Sequence, residues 1–495
     1  MKDPDTFLWH DYETFGARPM ADRPAQFAAQ RTDADLNPIG DPVVWYCSPA
    51  DDVLPHPMAC LITGITPQEA RSKGIAEARF AENILGEMIQ PGTCSAGYNS
   101  IRFDDVFTRN LLYRNLRDPY EREYKNGNSR WDLIDLTRMY YALRPDGLQW
   151  PMHEPGKPSF RLQDLSAENN IAHEGAHDAL ADVRATIDLA RMLRKAQPRL
   201  FAWALGLRDQ KQLVRLLDPV EPRALLHTSS RIPAVRGCTT LVLPLAVCPD
   251  RPKSVIVFDL MADPTPLIEQ PADVIHDLVF TPAADLPEGM ERLPLKAIHS
   301  NQLPMVAPRS TLKGVDLERI QLDPERCRRH EEKLISVLAS VRHKVTEVFS
   351  VPFEYGQDTN DPDRMIYSGG FFSSADKHLM KKILNVPSGD LGGHLWTFQD
   401  RRLSLMLFRY RARNYPATLS MEEARLWDLD RRTRLVDTDD PAYFTLDDFR
   451  QAMTEAREEK REEPEAQRIL DQLDAWILEI GLENLAQETS DEKLN

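Results

Sequence analysis

Two acidic residues at the end of an apolar run near the start of the chain are the first candidates for chemistry. In TFLWHDYETFG, Asp11 and Glu13 lie two positions apart. On a β-strand such residues point to the same face, roughly 6–7 Å apart, and carboxylates at that distance raise each other's pKa. Water at an exposed strand end relieves the repulsion, and so does a divalent cation, which prefers oxygen ligands. The two residues alone do not decide between these interpretations.

A second acidic position follows the strand-like run TCSAGYN. Asp104 and Asp105 precede an amphipathic, helix-like pattern in DDVFTRNLLYRN. Aspartate at the start of a helix is ordinary capping, because its negative charge complements the helix dipole. In the functional interpretation, Asp104 lies at the mouth of the sheet and faces the first strand.

A histidine and an aspartate accompany the last helical pattern of this region, GAHDALADVRATIDLARMLRK. His177 and Asp182 are five residues apart, which is about 140° of rotation on a helix, so they do not share a helix face. Both serve one site only if His177 lies in the preceding loop or first turn. Gly175 and the capping-type Asp178 favour that arrangement. The alternative is a surface histidine and a solvated aspartate.

Together these positions indicate phosphodiester chemistry. Four converging carboxylates hold two divalent ions, and such a site activates water and stabilises the leaving oxygen. A histidine with a pKa near the working pH then serves as general base. Arg161, in SFRLQDL, has a planar fork that matches a phosphate, although an arginine between apolar residues is more often a surface side chain with a buried stem.

The elements that must position these residues alternate along the first 195 residues. Strand-like runs (TFLWHDYE, DPVVWYC, TCSAGYN, WDLIDL) alternate with helical ones (PQEARSKG, DDVFTRNLLYRN, ADVRATIDLARMLRK), which predicts a sheet covered by helices. A proline-rich segment follows, with the short β-like runs TTLVLPLAVC, KSVIVFDL, IHDLVFT and RLPLKAIHS. It predicts a small β-rich domain that ends in one helix at EEKLISVLASVRHKVTEVF. The remainder is predicted to be mostly helical.

Composition limits the class of protein. At 495 residues the chain is long enough for two to four domains, and its hydrophobic content of 42% is ordinary for a globular protein. It shows no signal peptide, and no apolar run approaches the ~18 residues that a membrane span needs. Six scattered cysteines without a CxxC pair fit a reducing cytoplasm. We therefore expect a cytoplasmic protein with no membrane partner.

The charge is unevenly distributed. The formal net charge is −16, but residues 451–495 alone carry 13 acids and 5 bases, and the rest of the chain is nearer balance. The net charge alone therefore does not decide against a local basic groove for nucleic acid. In RARNYP, the residues Arg411, Arg413 and Asn414 either line such a groove or belong to a salt-bridged helix face; the second interpretation is favoured.

The set Asp11-x-Glu13, Asp104 and His177-x₄-Asp182 resembles the DEDDh 3′→5′ exonucleases, whose fold is a ribonuclease H-like α/β sheet. Further motifs extend the resemblance to the bacterial exonuclease I family over nearly the whole chain: HDYETFG, DRPAQFAA, LITGITPQEAR, NSRWDL, YALRP, SFRL, AHDALADV, QPRLF, GGFFSSAD and YRARNYP. The resemblance implies an exonuclease domain over residues 1–197, an SH3-like domain over 198–350 and a helical domain over 351–485. It also implies processive 3′→5′ degradation of single-stranded DNA to 5′-mononucleotides, in DNA repair and recombination.

The family resemblance also assigns roles to individual residues. It implies Asp11, Glu13, Asp104 and Asp182 as ligands of two Mg²⁺ ions, with Mn²⁺ as a substitute, and His177 as the general base. The remaining assignments are Arg161 at the substrate phosphate; Glu13 and Thr14 beside the 3′-terminal nucleotide; Arg109, Tyr120, Tyr124 and Arg138 along the strand; and Arg144 and Trp203 for the acidic C-terminal tail of single-stranded-DNA-binding protein. A monomer is expected.

Three other functions compete with this interpretation. A DEDDh exonuclease acting on RNA 3′ ends uses the same metal chemistry, and the choice depends on room for a 2′-hydroxyl. A binding scaffold that kept the fold but lost catalysis usually lacks one of the four acids, and all four are present here. A proofreading subunit would be much shorter.

Overall fold

The first strand of the chain, β1 (Thr6–Thr14), is the centre of a five-stranded sheet in a computed structural model that describes residues 4–173, 178–350 and 359–486. Across the sheet the strands are β3 (Val43–Tyr46), β2 (Pro24–Asp33), β1, β4 (Thr93–Gly97) and β5 (Ser129–Asp132). Strand β1 is antiparallel to β2 and parallel to β4. It is buried at most positions, as expected for a central strand.

The described residues divide into two compact units. The first unit comprises residues 4–130, 178–184 and 359–486, and the second comprises 131–173 and 185–350. Strand β5 and a long helix, α7 (Ala179–Ala196), each carry the chain from one unit to the other. The predicted domain boundaries at residues 197 and 350 stay a prediction.

Helices of the first unit come from both ends of the sequence. The early ones are α1 (Pro57–Thr63), α2 (Pro67–Lys73), α3 (Glu77–Met88) and α4 (Asp104–Arg114). The late ones are α14 (Ser374–Ile383), α15 (Arg402–Asn414), α16 (Met421–Leu435), α17 (Leu446–Glu459) and α18 (Pro464–Glu479). Described residues 359–486 form no strand, as predicted for the C-terminal region.

One apolar core ties the end of β1 to the late helices. Phe15, the residue after β1, is buried in the same cluster as Phe449 on α17 and Trp476 on α18. Helices α16 and α17 each begin with a capping box, in which Ser420 and Glu423, or Thr445 and Asp448, exchange side-chain and backbone hydrogen bonds. The segment that follows the two strand acids is therefore held by helices more than 400 residues away in sequence.

The second unit is built on an antiparallel sheet. In spatial order its strands are β11 (Leu295–His299), β10 (Arg251–Asp259), β9 (Thr239–Cys248), β8 (Leu225–Thr228) and β12 (Met305–Pro308). A short hairpin, β6 (Met152–Glu154) and β7 (Lys157–Pro158), lies outside this sheet. The helices besides α7 are α5 (Ile134–Leu143), α6 (Leu162–Glu168), α8 (Pro198–Gly206), α9 (Gln210–Leu216), α10 (Thr265–Glu269), α11 (Ala272–Phe280), α12 (Pro324–Ser336) and α13 (Leu338–Val348).

Several predicted elements were wrong in type or extent. All of the run IHDLVFT except its last residue lies in helix α11, because Ile275, Leu278 and Val279 are spaced for one helix face and are buried. The helix expected at EEKLISVLASVRHKVTEVF is two helices, broken at Val337. In WDLIDL the strand ends at Asp132, whose carboxylate accepts the Ile134 amide (2.9 Å) as α5 begins.

Strand β2 was missed, because alanines and glutamines in PAQFAAQRTD give no apolar alternation.

The six cysteines are free and buried, as predicted. Among the helices of the described ranges, none has the length and apolar character to cross a bilayer.

Candidate metal centre

The two strand acids lie where β1 runs past its parallel neighbour. The last β1 residue paired with β4 is Trp9, opposite Ala96, so Asp11 and Glu13 extend beyond the carboxyl end of β4. This edge is where α/β sheets bind ligands. Asp11 is partly exposed and Glu13 is 7% exposed. Together with Asp182 they offer carboxylate oxygens that all lie within 4.8 Å of one another.

Helix α7 brings Asp182 to this edge through its first turn. Gln26 on β2 is the cross-strand partner of Glu13, and its side-chain carbonyl accepts a hydrogen bond from the Ala179 amide (3.1 Å). The Asp178 carboxylate accepts hydrogen bonds from the backbone amides of Leu180 and Ala181, both at 3.1 Å, which caps the helix as predicted. The helix therefore begins beside Glu13, with Asp182 one turn further along.

Asp104 comes from the opposite side, at the start of α4. The backbone amide of Tyr12, between the two strand acids, donates a hydrogen bond to Asp104 Oδ1 (3.1 Å). Asp104 is 2% exposed. Its carboxylate thus faces β1, as the functional interpretation predicted, and does not cap α4 from the surface. The α4 dipole also favours a negative charge at this position.

The acids at this edge are electrostatically unfavourable in the metal-free protein. Burial, followed by repulsion from Asp104, Asp182 and Glu13, raises the pKa of Asp11 well above its usual range. Burial, followed by Asp182 and Asp104, raises the pKa of Glu13 to about 8. A bound cation of charge +2 would remove both the repulsion and the cost of desolvating the carboxylates.

The donor set fits a divalent cation. All four side chains are carboxylates, which are the ligands of Mg²⁺, Mn²⁺ and Zn²⁺ alike. Asp11, Glu13 and Asp182 converge from β1 and α7 despite their mutual repulsion, and Asp104 on α4 faces the same strand through its hydrogen bond to the Tyr12 amide. The predicted general base, His177, lies outside the described residues.

Three of the predicted strand contacts, Arg109, Tyr120 and Tyr124, lie on the first unit, as does Thr14. Arg109 on α4 lies over the Tyr120 ring, with 5.4 Å between its guanidinium carbon and the ring centroid. Tyr124 is 63% exposed. Thr14 is buried, and its hydroxyl donates to the Gly16 carbonyl (2.8 Å).

Two aromatic residues beside Tyr120 were missed as individual site residues. Phe371 packs edge-on against Tyr120, with 6.3 Å between ring centroids, yet it is 86% exposed. Tyr367 is 53% exposed. The pKa of Tyr120 is raised to about 12, first by burial of Tyr120 and then by its interaction with Tyr367. The signal was present as an aromatic pair after a double glycine in GGFFSSAD, but sequence alone cannot show which rings face water.

Two predicted phosphate contacts lie on the second unit. Arg161 is exposed immediately before α6, and its backbone amide donates to the Ser159 hydroxyl (3.3 Å). Arg138 on α5 is largely buried; it pairs with Asp135 at 2.6 Å and lies 5.6 Å from the Phe160 ring centroid.

The two residues predicted to bind a partner tail reach the same segment of the second unit. Arg144 donates to the carbonyls of Thr311 (3.1 Å) and Lys313 (3.2 Å). The indole N–H of Trp203 donates to the carbonyl of Val306 (2.9 Å) on β12. Both side chains are partly exposed.

The basic segment RARNYP belongs to a buried ion-pair cluster of the first unit. Arg413 is buried and pairs with Asp363 (2.7 Å) and Asp52 (3.4 Å). Arg411 pairs with Glu423, and the Asn414 side-chain oxygen accepts the Ala78 amide (2.7 Å). The favoured interpretation of a salt-bridged helix face agrees with these contacts.

Family profiles match three consecutive parts of the chain: Exonuclease at residues 8–190, Exonuclease I SH3-like domain at 208–351 and Exonuclease I C-terminal domain at 360–480. Exodeoxyribonuclease I of Escherichia coli strain K12 is 45% identical over 431 residues, which cover 87% of this chain and 90% of that protein. This chain belongs to the exodeoxyribonuclease I family. The Haemophilus influenzae member is 43% identical, over 87% of this chain and 90% of that protein.

Solved structures of the family have the same fold. Escherichia coli exonuclease I in complex with a dA16 oligonucleotide matches with a TM-score of 0.92 and 42% identity, over 96% of this chain and 100% of that one. A zinc-bound form of the Escherichia coli enzyme with single-stranded DNA matches with a TM-score of 0.90 and 42% identity, over 97% of this chain and 100% of that one. A moderately thermophilic exonuclease I from Methylocaldum szegediense matches with a TM-score of 0.89 and 44% identity, over 96% of this chain and 99% of that one. The predicted order of α/β exonuclease, SH3-like and helical regions is confirmed.

Proposed function

We propose that this chain is a 3′→5′ exonuclease that hydrolyses single-stranded DNA processively to 5′-mononucleotides. The observation that carries the proposal is the group of carboxylates from Asp11, Glu13 and Asp182, within 4.8 Å of one another at the edge of the first sheet. Membership of the exodeoxyribonuclease I family supports the substrate, because relatives of known structure were solved with single-stranded DNA.

The ligands proposed for two divalent cations are Asp11, Glu13, Asp104 and Asp182, with Mg²⁺ the expected ion and Mn²⁺ a substitute. When bound, the cations activate a water molecule and stabilise the leaving oxygen of the phosphodiester. The chain's own contribution is to hold four carboxylates in place before the ions arrive. The raised pKa values of Asp11 and Glu13 reflect the burial and the mutual repulsion of the carboxylates in that arrangement.

The remaining residues handle the proton and the substrate. His177 takes a proton from the attacking water, whose oxygen bonds to the phosphorus of the 3′-terminal nucleotide. The bond from phosphorus to the 3′ oxygen of the preceding nucleotide breaks, and that oxygen takes a proton from solvent. The products are a 5′-mononucleotide and a strand one nucleotide shorter. Arg161 binds the phosphate, and Glu13 and Thr14 lie beside the terminal nucleotide.

The strand upstream of the scissile bond is proposed to run over arginine and aromatic side chains. To the predicted contacts Arg109, Tyr120, Tyr124 and Arg138 we add Tyr367 and Phe371. Arginine neutralises phosphates, and exposed aromatic rings stack on unpaired bases at ~1–3 kcal/mol per base. The exposure of Phe371 directly beside Tyr120 supports such a stacking surface on the first unit.

Arg144 and Trp203 are proposed to bind the acidic C-terminal tail of single-stranded-DNA-binding protein. Their hydrogen bonds to one segment, residues 306–313, support a shared surface with a cation and an aromatic ring. Alanine at either position should weaken binding of a tail peptide in a fluorescence anisotropy titration. Unchanged affinity in both variants would remove this part of the proposal.

The proposal includes a monomeric enzyme in the bacterial cytoplasm that acts in DNA repair and recombination, as the family resemblance implies. Analytical ultracentrifugation across a range of concentrations tests the oligomeric state. A concentration-dependent shift to twice the mass of a 56.6 kDa chain would contradict a monomer.

The decisive experiment incubates the protein and Mg²⁺ with 5′-labelled single-stranded DNA, and in parallel with duplex DNA and single-stranded RNA. We expect shortening of single-stranded DNA only, lost in EDTA and in Asp182→Ala. Degradation of RNA instead would assign the chain to the RNA-trimming branch of the DEDDh exonucleases. No degradation of any substrate would leave a binding scaffold and contradict the proposed roles of the acids.

A further inference from the structure

Tyr12 occupies the position between the two strand acids, with its side chain on the other face of β1. Residues at alternate positions of a strand point to opposite faces, so Tyr12 points into the core when Asp11 and Glu13 point to the metal centre. It is 3% exposed and packs edge-on against Phe27, with 4.9 Å between ring centroids. Its hydroxyl lies 2.9 Å from the hydroxyl of Thr108.

Thr108 connects this hydroxyl to Asp104. It lies one turn after Asp104 on α4, is fully buried, and donates its hydroxyl proton to the Asp104 carbonyl (2.8 Å). A threonine hydroxyl has a single proton. Because that proton goes to Asp104, the Tyr12 hydroxyl must be the donor of the Tyr12–Thr108 bond. The result is a directed chain from Tyr12 through Thr108 to the backbone of Asp104.

The same tyrosine also holds the Asp104 side chain. Its backbone amide donates to Asp104 Oδ1 at 3.1 Å. One residue of β1 therefore contacts Asp104 twice: directly at the carboxylate, and through Thr108 at the main-chain carbonyl. The direct bond orients the carboxylate, and the hydroxyl chain fixes the first turn of α4 against the strand that carries Asp11 and Glu13.

We propose that Tyr12 and Thr108 are positioning residues that hold the metal ligand Asp104 in register with Asp11 and Glu13. The inference rests on the proposed function, because it assigns Asp104 as a ligand. Both side chains are buried, so neither hydroxyl is assigned a contact with substrate or metal. Groups that orient metal ligands typically contribute 10–100-fold to metal affinity, because a ligand from a separate element must otherwise be ordered when the ion binds.

The test measures Mn²⁺ binding to the full chain by electron paramagnetic resonance of the free ion. Tyr12→Phe and Thr108→Val each remove one hydroxyl and keep the shape of the side chain. We expect each to raise the Mn²⁺ Kd by about 10-fold or more. The double variant should lose little more Mn²⁺ affinity than the single variant with the larger loss, because both hydroxyls act in one hydrogen-bonded chain.

Two control variants separate positioning from general destabilisation. Thr108→Ser keeps the hydroxyl and should restore Mn²⁺ affinity to within about 2-fold of wild type, allowing for loss of one methyl group. Thr137→Val removes another fully buried helical hydroxyl, which donates to the Leu133 carbonyl at 2.8 Å, and should leave Mn²⁺ affinity unchanged. Melting temperatures in EDTA show how far each variant is destabilised without metal.

The possible outcomes distinguish the two proposals. An unchanged Mn²⁺ Kd in both Tyr12→Phe and Thr108→Val would overturn the positioning role and leave the proposed function intact. An equal loss of affinity in Thr137→Val would also overturn it. If Thr108→Val does not fold, Tyr12→Phe and Thr108→Ser carry the test. Failure of the wild-type protein to bind Mn²⁺ would contradict the metal centre itself, and the inference with it.

Discussion

Arg109 and Glu123 form a two-pronged ion pair beside the aromatic side chains of the first unit. Nε and Nη2 of Arg109 donate to the two carboxylate oxygens of Glu123 at 2.7 and 3.0 Å. Glu123 also accepts from Nε of Arg130 at 3.0 Å. Burial disfavours the charge on Arg109, but the hydrogen bonds to Glu123 outweigh it and raise the pKa of Arg109. Glu123 therefore orients the guanidinium that is proposed to meet a phosphate.

The first prediction concerns this oriented arginine. Arg109→Gln should weaken single-stranded DNA binding and reduce the slope of log K against log salt by about 0.7, the value for one lost phosphate contact on a single strand. Arg109→Lys keeps the charge but loses the fork, so it should retain most of the slope while its affinity falls. Anisotropy titrations from low to high salt measure both quantities. An unchanged slope in Arg109→Gln would contradict a phosphate contact.

The second prediction tests the exposed aromatic surface. Phe371→Ala should cost about 1 kcal/mol or more of single-stranded DNA binding, the value for loss of one base stack. Leu395→Ala is the matched control, because Leu395 is 96% exposed and apolar but offers no ring for stacking. Equal affinities for the two variants would show that Phe371 does not stack on the strand.

The third prediction separates the general base from the metal ligands. His177→Ala should lower kcat by about 10²–10⁴-fold with little change in Mn²⁺ affinity, the usual contribution of a general base. Asp182→Asn should instead weaken Mn²⁺ binding itself, since it removes a charged ligand. Single-turnover cleavage of labelled DNA and Mn²⁺ titration are measured on the same samples. Loss of Mn²⁺ binding in His177→Ala would contradict the proposed role of the histidine.

The fourth prediction follows from the pKa of Glu13. It is about 8 in the folded, metal-free protein against 4.5 ordinarily, raised by burial and then by Asp182 and Asp104. Between these pH values the folded state binds more protons at Glu13 than the unfolded state, so this residue lowers stability as pH rises. In EDTA, the difference in melting temperature between Glu13→Gln and wild type should shift in favour of the variant as the pH rises from 5 to 8. Saturating Mg²⁺ should abolish the loss of wild-type stability with rising pH. Parallel curves of melting temperature against pH for the two proteins in EDTA would contradict the prediction.

The fifth prediction concerns the buried ion-pair cluster of the first unit. Asp52 is 1% exposed, and its Oδ2 lies 3.4–3.6 Å from Arg23, Arg413 and Arg434. Asp52→Asn should lower the free energy of unfolding by about 3–5 kcal/mol, because it leaves buried arginines unbalanced. Asp447→Asn, in an exposed pair, is the control and should change stability little. Urea denaturation measures both, and equal small losses would contradict a structural role for the cluster.

The same cluster sets the response to acid. Burial alone would raise the pKa of Glu77, but Arg114 and Arg23 outweigh it and lower the pKa to about 2. The stabilising effect of Glu77 is therefore complete above the ordinary pKa of 4.5 and is lost as pH falls towards 2. Burial and arginines act on Asp52 in the same way, and hold its pKa well below the usual range.

The sequence by itself determined which residues are candidates for the metal centre. The spacing of Asp11 and Glu13 indicates one strand face, and the helical pattern after His177 indicates where Asp182 lies. These are local relationships, set by the period of a strand or a helix. The family motifs also determined the order of the three regions. Local patterns failed at IHDLVFT, where the helical spacing was missed, and at PAQFAAQRTD, where burial did not need large apolar residues.

Tertiary structure decided which side chains meet, because partners lie far apart in the chain. Only the fold shows that the Tyr12 amide and the Thr108 hydroxyl hold Asp104. It alone separates Arg413, which is neutralised by buried aspartates, from exposed Arg161. The identity of an arginine gives its charge, but its burial and its partner determine whether that charge is available to a phosphate.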